Sequence, residues 1–279
     1  MELLAPAKLN LFLEITGKRP DGYHTLETVF QTVSLYDKIK LKIRSGGINL
    51  TCSDKSLPVD ERNIVYRAAS ALLRASGKSL GADIHLEKNI PMGAGLGGGS
   101  SDAAAVLKGL AKLWKLSVSK KEISKIALSL GADVPFFLSG GTCAASGVGE
   151  KLHKINRTAP ASYILIYPGF PVSTALAYSK LSLPLTKKQK INRIQNLMEQ
   201  GLGPASWGGL MFNRLEEAVF PLFPELKALK GELLRLGCLG MMSGSGSTIF
   251  GLIKNFEEGR NIKSALSGPG RRIFLVETV

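Results

Sequence analysis

The sequence predicts an α+β fold in two domains, and three observations carry that reading. Runs that alternate apolar and polar residues (7–15, 28–44 and 82–90) stand among runs with helical signals (61–76, 101–114 and 119–130). The two kinds do not alternate regularly, as a doubly wound sheet would require. The pattern restarts near Ser162, after the polar stretch Asn156-Arg157-Thr158-Ala159-Pro160, which divides the 279 residues into domains of 1–156 and 157–279.

The elements follow in order. Along 7–15, Ala7, Leu9, Leu11 and Leu13 share one face, with Lys8, Asn10, Phe12 and Glu14 on the other, the signature of a half-buried strand. Gly17-Lys18-Arg19-Pro20-Asp21-Gly22 is a turn. In 28–44 the alternation of Lys38, Lys40, Lys42 and Arg44 with Ile39, Leu41 and Ile43 gives one solvated strand face. The Ala- and Leu-rich helix 61–76 ends near Gly77, and Pro91 stops the strand 82–90. Ser119-Lys120-Lys121-Glu122 is a capping box that opens a helix ending at Gly131. A strand is expected over 141–146. Past the boundary, strands are expected at 163–167, 238–243, 247–253 and 272–278, and helices at 174–181, 187–200, 211–219, 224–236 and 256–266.

Composition removes several classes of function. The net charge of +14 calls for an anionic partner. The basic residues, however, are spread along the chain, with Lys187, Lys188 and Lys190 in an expected surface loop, and no nucleic-acid-binding signature is present. Cys52, Cys143 and Cys238 form no CxxC pair, and His24, His85 and His153 are scattered, so neither a disulfide scaffold nor a resident metal centre is expected. No apolar run reaches the ~18–20 residues that span a bilayer. The first residues show no basic segment leading into a long apolar one. The expectation is a cytoplasmic protein whose partner is neither a membrane nor a nucleic acid.

The sharpest feature is Pro91-Met92-Gly93-Ala94-Gly95-Leu96-Gly97-Gly98-Gly99-Ser100-Ser101, in which five of the seven residues 93–99 are glycine. Each glycine costs about 0.5–1 kcal/mol against alanine inside a regular element. The cluster is explained if backbone N–H groups there approach a ligand. It leads straight into a helix, and a glycine loop at a helix N-terminus is a phosphate site. No lysine lies between Lys88 and Lys108, which excludes the P-loop pattern, and no acid follows at the distance a dinucleotide fold needs. Two residues past Gly131, Asp133 abuts Val134-Pro135-Phe136-Phe137, where a carboxylate needs a partner or a function. A general base is the role it suggests.

Three motifs, taken together and in order, resemble the GHMP kinases. They are Ala5-Pro6-Ala7-Lys8-Leu9-Asn10-Leu11, the glycine loop 91–101, and Met242-Ser243-Gly244-Ser245-Gly246-Ser247-Thr248. Within that family, Arg19-Pro20-Asp21-Gly22-Tyr23-His24 and Gly131-Ala132-Asp133-Val134-Pro135-Phe136-Phe137 resemble the members whose acceptor is a cytidine diphosphate-linked methylerythritol. Asn213-Arg214-Leu215-Glu216 departs from the pattern, since many relatives carry Asp where Arg214 stands.

The resemblance implies a two-domain GHMP kinase fold with a ferredoxin-like C-terminal domain and an active site in the cleft between the domains. It implies ATP as co-substrate on residues 91–101; Mg2+ is expected with the nucleotide because it neutralises the β,γ-phosphates, with Ser100 or Ser101 a candidate oxygen. Lys8 and Asp133 are the implied catalytic pair. Asn10, Tyr23, His24 and Tyr178 are the implied substrate-binding residues, with Tyr23 stacking on the cytosine, His24 hydrogen-bonding it and Tyr178 on its opposite face. A GHMP kinase with a mevalonate- or homoserine-type acceptor, a basic nucleic-acid-binding protein, and an oxidoreductase reading of Gly93-Ala94-Gly95-Leu96-Gly97-Gly98 remain the alternatives.

Overall fold

The computed structural model describes residues 1–181 and 189–279. The chain forms two units that interleave along the sequence. One takes Met1–Ala7, Leu35–Pro91 and Gly97–Gly140, and the other Lys8–Ser34, Met92–Leu96 and Gly141–Val279.

The first unit uses the beginning of β1 (Glu2–Lys18), the end of β2 (His24–Arg44), β3 (Gly47–Cys52), α1 (Ile64–Ser76), β4 (Gly81–Glu87), α2 (Gly98–Leu113), α3 (Lys120–Leu130) and α4 (Val134–Ser139). β4 runs antiparallel to β2, with Lys40 opposite His85, and parallel to β3, with Leu50 opposite Ile84. Ile39 and Leu41 are buried while Lys40 and Lys42 are exposed, as the alternation requires. The Ser119 hydroxyl and the Glu122 carboxylate form the expected capping box of α3. Neither β3 nor α4 is anticipated by the periodicity.

The second unit adds β5 (Thr142–Ser146), β6 (Lys151–Ile155), β7 (Ser162–Tyr167), α5 (Thr174–Ser179), α6 (Gln189–Glu199), α7 (Pro204–Trp207), β8 (Phe212–Asn213), α8 (Glu216–Val219), α9 (Pro224–Arg235), β9 (Gly240–Met242), β10 (Ile249–Ile253), α10 (Phe256–Leu266) and β11 (Arg272–Glu277). β5 pairs with β2 and β6 with β5, both antiparallel. A separate antiparallel sheet runs β11-β7-β10-β9, and Ile164 and Ile166 pack there with Leu226, Leu229, Leu233 and Ile262. Lys187 and Lys188 of the expected surface loop lie outside the described residues.

Two expectations are corrected. β1 is not half-buried: Lys8, Asn10 and Glu14 are 4%, 3% and 4% exposed, and Phe12 is 1% exposed. The face read as solvated is filled by partners from distant segments. The helix expected at 211–219 shortens to α8, because Phe212 and Asn213 instead pair in parallel with Phe12 and Leu13 of β1. Tertiary pairing outweighs a local helix preference worth only tenths of a kcal/mol per residue.

Candidate active site

Strand alternation puts Lys8 and Asn10 on one face of β1, in the second unit. The Lys8 ammonium donates to Asn10 Oδ1 and lies 5.4 Å from the centroid of the Phe30 ring. The Asn10 amide donates to Thr28 Oγ1 at 2.8 Å, and that hydroxyl donates to the Phe12 carbonyl at 2.6 Å. Burial of an ammonium is tolerated because an amide oxygen and an aromatic face partly replace its hydration.

The glycine loop meets this strand through its carbonyls. Leu96 O accepts from Lys8 N at 2.9 Å, Ala94 O from Thr248 N at 3.2 Å and Gly93 O from Val172 N at 3.1 Å. Gly95 O accepts from Ser243 Oγ at 2.9 Å. Ala94 and Leu96 are buried, and Met92 is exposed. The N–H groups of Gly93 to Leu96 find no acceptor among the described residues. A loop with its acceptors consumed and its donors unspent is an anion cradle. Ligand approach is not the whole reason for the glycines, however. A Cβ on Gly95 (φ +74°) would stand 1.9 Å from the Ser243 carbonyl oxygen, so protein packing alone demands glycine there.

Of the other expected ATP-loop and catalytic residues, Pro91, Gly97 to Ser101 and Asp133 belong to the first unit. Pro91 is buried, and Gly97 (φ +70°) is the N-cap of α2 and makes no side-chain cap. The helix therefore begins at Gly98, three residues before the expected Ser101, and takes in Gly99 and Ser100. The Ser101 hydroxyl is buried with no hydrogen-bond partner. Asp133 is the N-cap of α4, and its side chain makes no capping bond to that helix. Pro135 fits the first turn of α4, and Val134 to Phe137 are buried.

Of the expected substrate-binding aromatics, Tyr23 is 65% exposed, beyond the turn fixed by the Arg19–Asp21 ion pair of 2.7 Å. The structure brings His24 and Tyr178 together, their ring centroids 5.1 Å apart at 37°. Burial, and secondarily the Lys18 charge, hold the His24 pKa below its ordinary value, which favours the neutral imidazole.

Two groupings escaped sequence reasoning. In the first unit, Lys88 is held between Asp37 and Asp102, and its contact with Asp102 measures 2.8 Å. Asp37 also accepts from the backbone N–H of Asn89 and Ile90 at 2.6 and 2.8 Å. Burial pushes the Asp102 carboxyl up to about 7, with Lys88 opposing the rise and Asp37 adding to it. Lys88 itself is held charged by the two carboxylates against its burial. In the second unit, Arg214 clasps Glu14 with contacts of 2.8 and 3.0 Å. The quoted Asn213-Arg214-Leu215-Glu216 run was the only sequence signal for the second grouping, and the spread of Asp37, Lys88 and Asp102 left none for the first.

Comparisons with known proteins identify the family. The models "GHMP kinases N terminal domain" and "GHMP kinases C terminal" match residues 63–141 and 183–272. The chain is 41% identical to a 4-diphosphocytidyl-2-C-methyl-D-erythritol kinase of Syntrophus aciditrophicus, covering 100% of this chain and 99% of the relative. A relative of the same name from Syntrophotalea carbinolica is 42% identical, covering 99% and 98%. The crystal structure of a 4-(cytidine 5'-diphospho)-2C-methyl-D-erythritol kinase superposes with a TM-score of 0.83 at 38% identity, over 100% of this chain and 99% of that one. A homoserine kinase from Cytophaga hutchinsonii, at 21% identity and a TM-score of 0.79, shares the fold. Among the described residues, no helix is long and apolar enough to cross a membrane. With both family models in order and full-length relatives at this identity, the chain belongs to the GHMP kinase family.

Proposed function

We propose that this chain is a kinase that moves the γ-phosphate of ATP to the 2-hydroxyl of 4-diphosphocytidyl-2-C-methyl-D-erythritol, a step in non-mevalonate isoprenoid precursor synthesis in the cytoplasm. The observation that carries the reading is the loop from Gly93 to Leu96, whose carbonyls are consumed by the protein and whose N–H groups are left for an anion. The full-length relatives supply the acceptor.

Phosphoryl transfer asks mainly for positioning and charge stabilisation. Within the loop 91–101, the backbone N–H groups of Gly93 to Leu96 and the positive end of α2 bind the ATP phosphates. Asp133 takes the proton of the acceptor hydroxyl as its oxygen bonds to the γ-phosphorus, while the bond to the bridging oxygen breaks and ADP leaves. Lys8 offsets the negative charge on the transferring group, and its contact with Asn10 fixes the ammonium. Asn10 also contacts the acceptor. Tyr23 and Tyr178 sandwich the cytosine, and His24, kept neutral, hydrogen-bonds its edge.

Mg2+ bound with the nucleotide would supply positive charge against its phosphates. Among the described residues, no group of three His, Cys, Asp or Glu side chains is placed to hold a metal ion. The unpaired Ser101 hydroxyl, or that of Ser100, is the oxygen the chain would offer it.

The test is ATP consumption by the purified protein against a panel of acceptors. Turnover is expected with the cytidine diphosphate-linked methylerythritol and not with mevalonate or homoserine. Turnover of mevalonate or homoserine instead, or none with any cytidine diphosphate-linked polyol, overturns the reading.

A further inference from the structure

Asn213 occupies β8 and is 3% exposed. Its side-chain amide donates to the carbonyls of Met242 at 2.7 Å and Gly244 at 2.8 Å, and its Oδ1 accepts from Leu215 N at 2.9 Å. Both amide hydrogens and the oxygen are thus engaged. The residue is itself fixed on β1, through the pairing with Leu13 and through Arg214 N, which donates to the Leu13 carbonyl at 2.8 Å.

The Gly244 carbonyl belongs to the turn Ser243–Thr248, and the Met242 carbonyl, at the end of β9, directly precedes it; the turn is closed by Ser243 N to Thr248 O and Gly246 N to Ser243 O, each 2.9 Å. That turn lies against the proposed phosphoryl-transfer residues. A Cβ built on Gly244 would be 3.3 Å from both Lys8 Nζ and Asn10 Oδ1. Gly244 therefore packs beside the Lys8 ammonium and the Asn10 amide with little room for a side chain between them.

We infer that Asn213 is a positioning residue for the transfer: its amide, braced on β1, sets the Gly244 turn and thereby the placement of Lys8 and Asn10. The inference rests on the kinase reading above. A carboxamide is the group the place demands. A carboxylate of the same shape would point oxygen at two carbonyl oxygens, and an apolar isostere would leave both carbonyls buried without a donor.

The test compares Asn213→Asp and Asn213→Ser with wild type by kcat, by KM for each substrate and by thermal melting, with activity normalised to folded protein. At about pH 8, kcat of Asn213→Asp is expected to fall by about ten- to a hundredfold, the scale of a sub-ångström to 1 Å misplacement, with KM for ATP little changed. The deficit of Asn213→Asp is expected to shrink toward about pH 6, as protonation of the buried carboxyl restores one donor. Asn213→Ser keeps one donor and should fall between Asp and Asn, and it is read alone if the Asp variant does not fold.

A merely structural role would lower the melting temperature while leaving kcat per folded molecule at the wild-type value, and that result overturns the inference. A deficit independent of pH overturns it as well. Wild type inactive on every acceptor overturns the kinase reading instead, so the two failures are distinct.

Discussion

The Gly95 carbonyl accepts the Ser243 hydroxyl at 2.9 Å, and the Ser243 carbonyl oxygen fills the space that a side chain on Gly95 would need. The glycine loop and the C-terminal motif are therefore one packed unit within their half of the molecule. Gly95→Ala combines that overlap with a positive φ, whose penalty alone is about 1–2 kcal/mol. Gly99 differs: it lies in the first turn of α2, and a Cβ there would meet Ile64 at an ordinary 3.5 Å. Thermal melts should show Gly95→Ala strongly destabilised or insoluble, and Gly99→Ala unchanged or stabilised by about 0.5–1 kcal/mol. Equal losses at both sites would contradict the packing account.

Asp133→Asn removes the proposed base without removing a helix cap, since the aspartate makes none to α4. Its kcat should fall by about 10²–10⁴-fold while ATP binding, measured by nucleotide titration, is retained. Lys8→Met keeps the stem against Phe30 and deletes the charge, with an expected loss of about 10²–10³ in kcat. Near-normal turnover in either variant would remove that residue from the mechanism.

Arg214→Ala leaves the buried Glu14 carboxylate without its bidentate partner. Breaking such a pair from one side costs up to about 3–5 kcal/mol. Replacing both members, in Glu14→Gln with Arg214→Met, should cost less than Arg214→Ala alone. Denaturant unfolding of the single variants Glu14→Gln and Arg214→Met beside the double variant measures the coupling, and strict additivity would show that the contact does not matter.

The Asp37–Lys88–Asp102 cluster predicts a pH effect of a defined sign. Burial pushes the Asp102 carboxyl up to about 7, above the ordinary carboxylate value of 3.8. The folded state then holds a proton that the unfolded state releases, so stability from this group is full below the unfolded value and is lost as pH rises through about 7. Asp102→Asn has no such proton to lose. Its melting temperature relative to wild type should climb between about pH 4 and 7 and then level off. Parallel curves would contradict the assignment.

The strand 28–44, the capped helix opening at Ser119 and the glycine loop were legible because their causes are local. Alternation, a hydroxyl three residues before a glutamate, and clustered glycines each leave a short-range trace. Asn213 and Arg214 were not legible as site elements, because their partners Met242, Gly244 and Glu14 are distant in sequence. The same cause explains the shortened helix at 211–219 and the burial of both faces of β1 around Lys8 to Glu14.

By itself the sequence determined an α+β chain with a phosphate loop, three ordered motifs and a family, since glycine content, periodicity and motif spacing are written in neighbouring residues. Only the tertiary structure decided that the two units interleave along the chain, that Gly95 is glycine because Ser243 occupies its side-chain space, and that Lys8 is buried beside Asn10. Those are consequences of excluded volume and hydrogen-bond pairing between segments that meet only when the chain has folded.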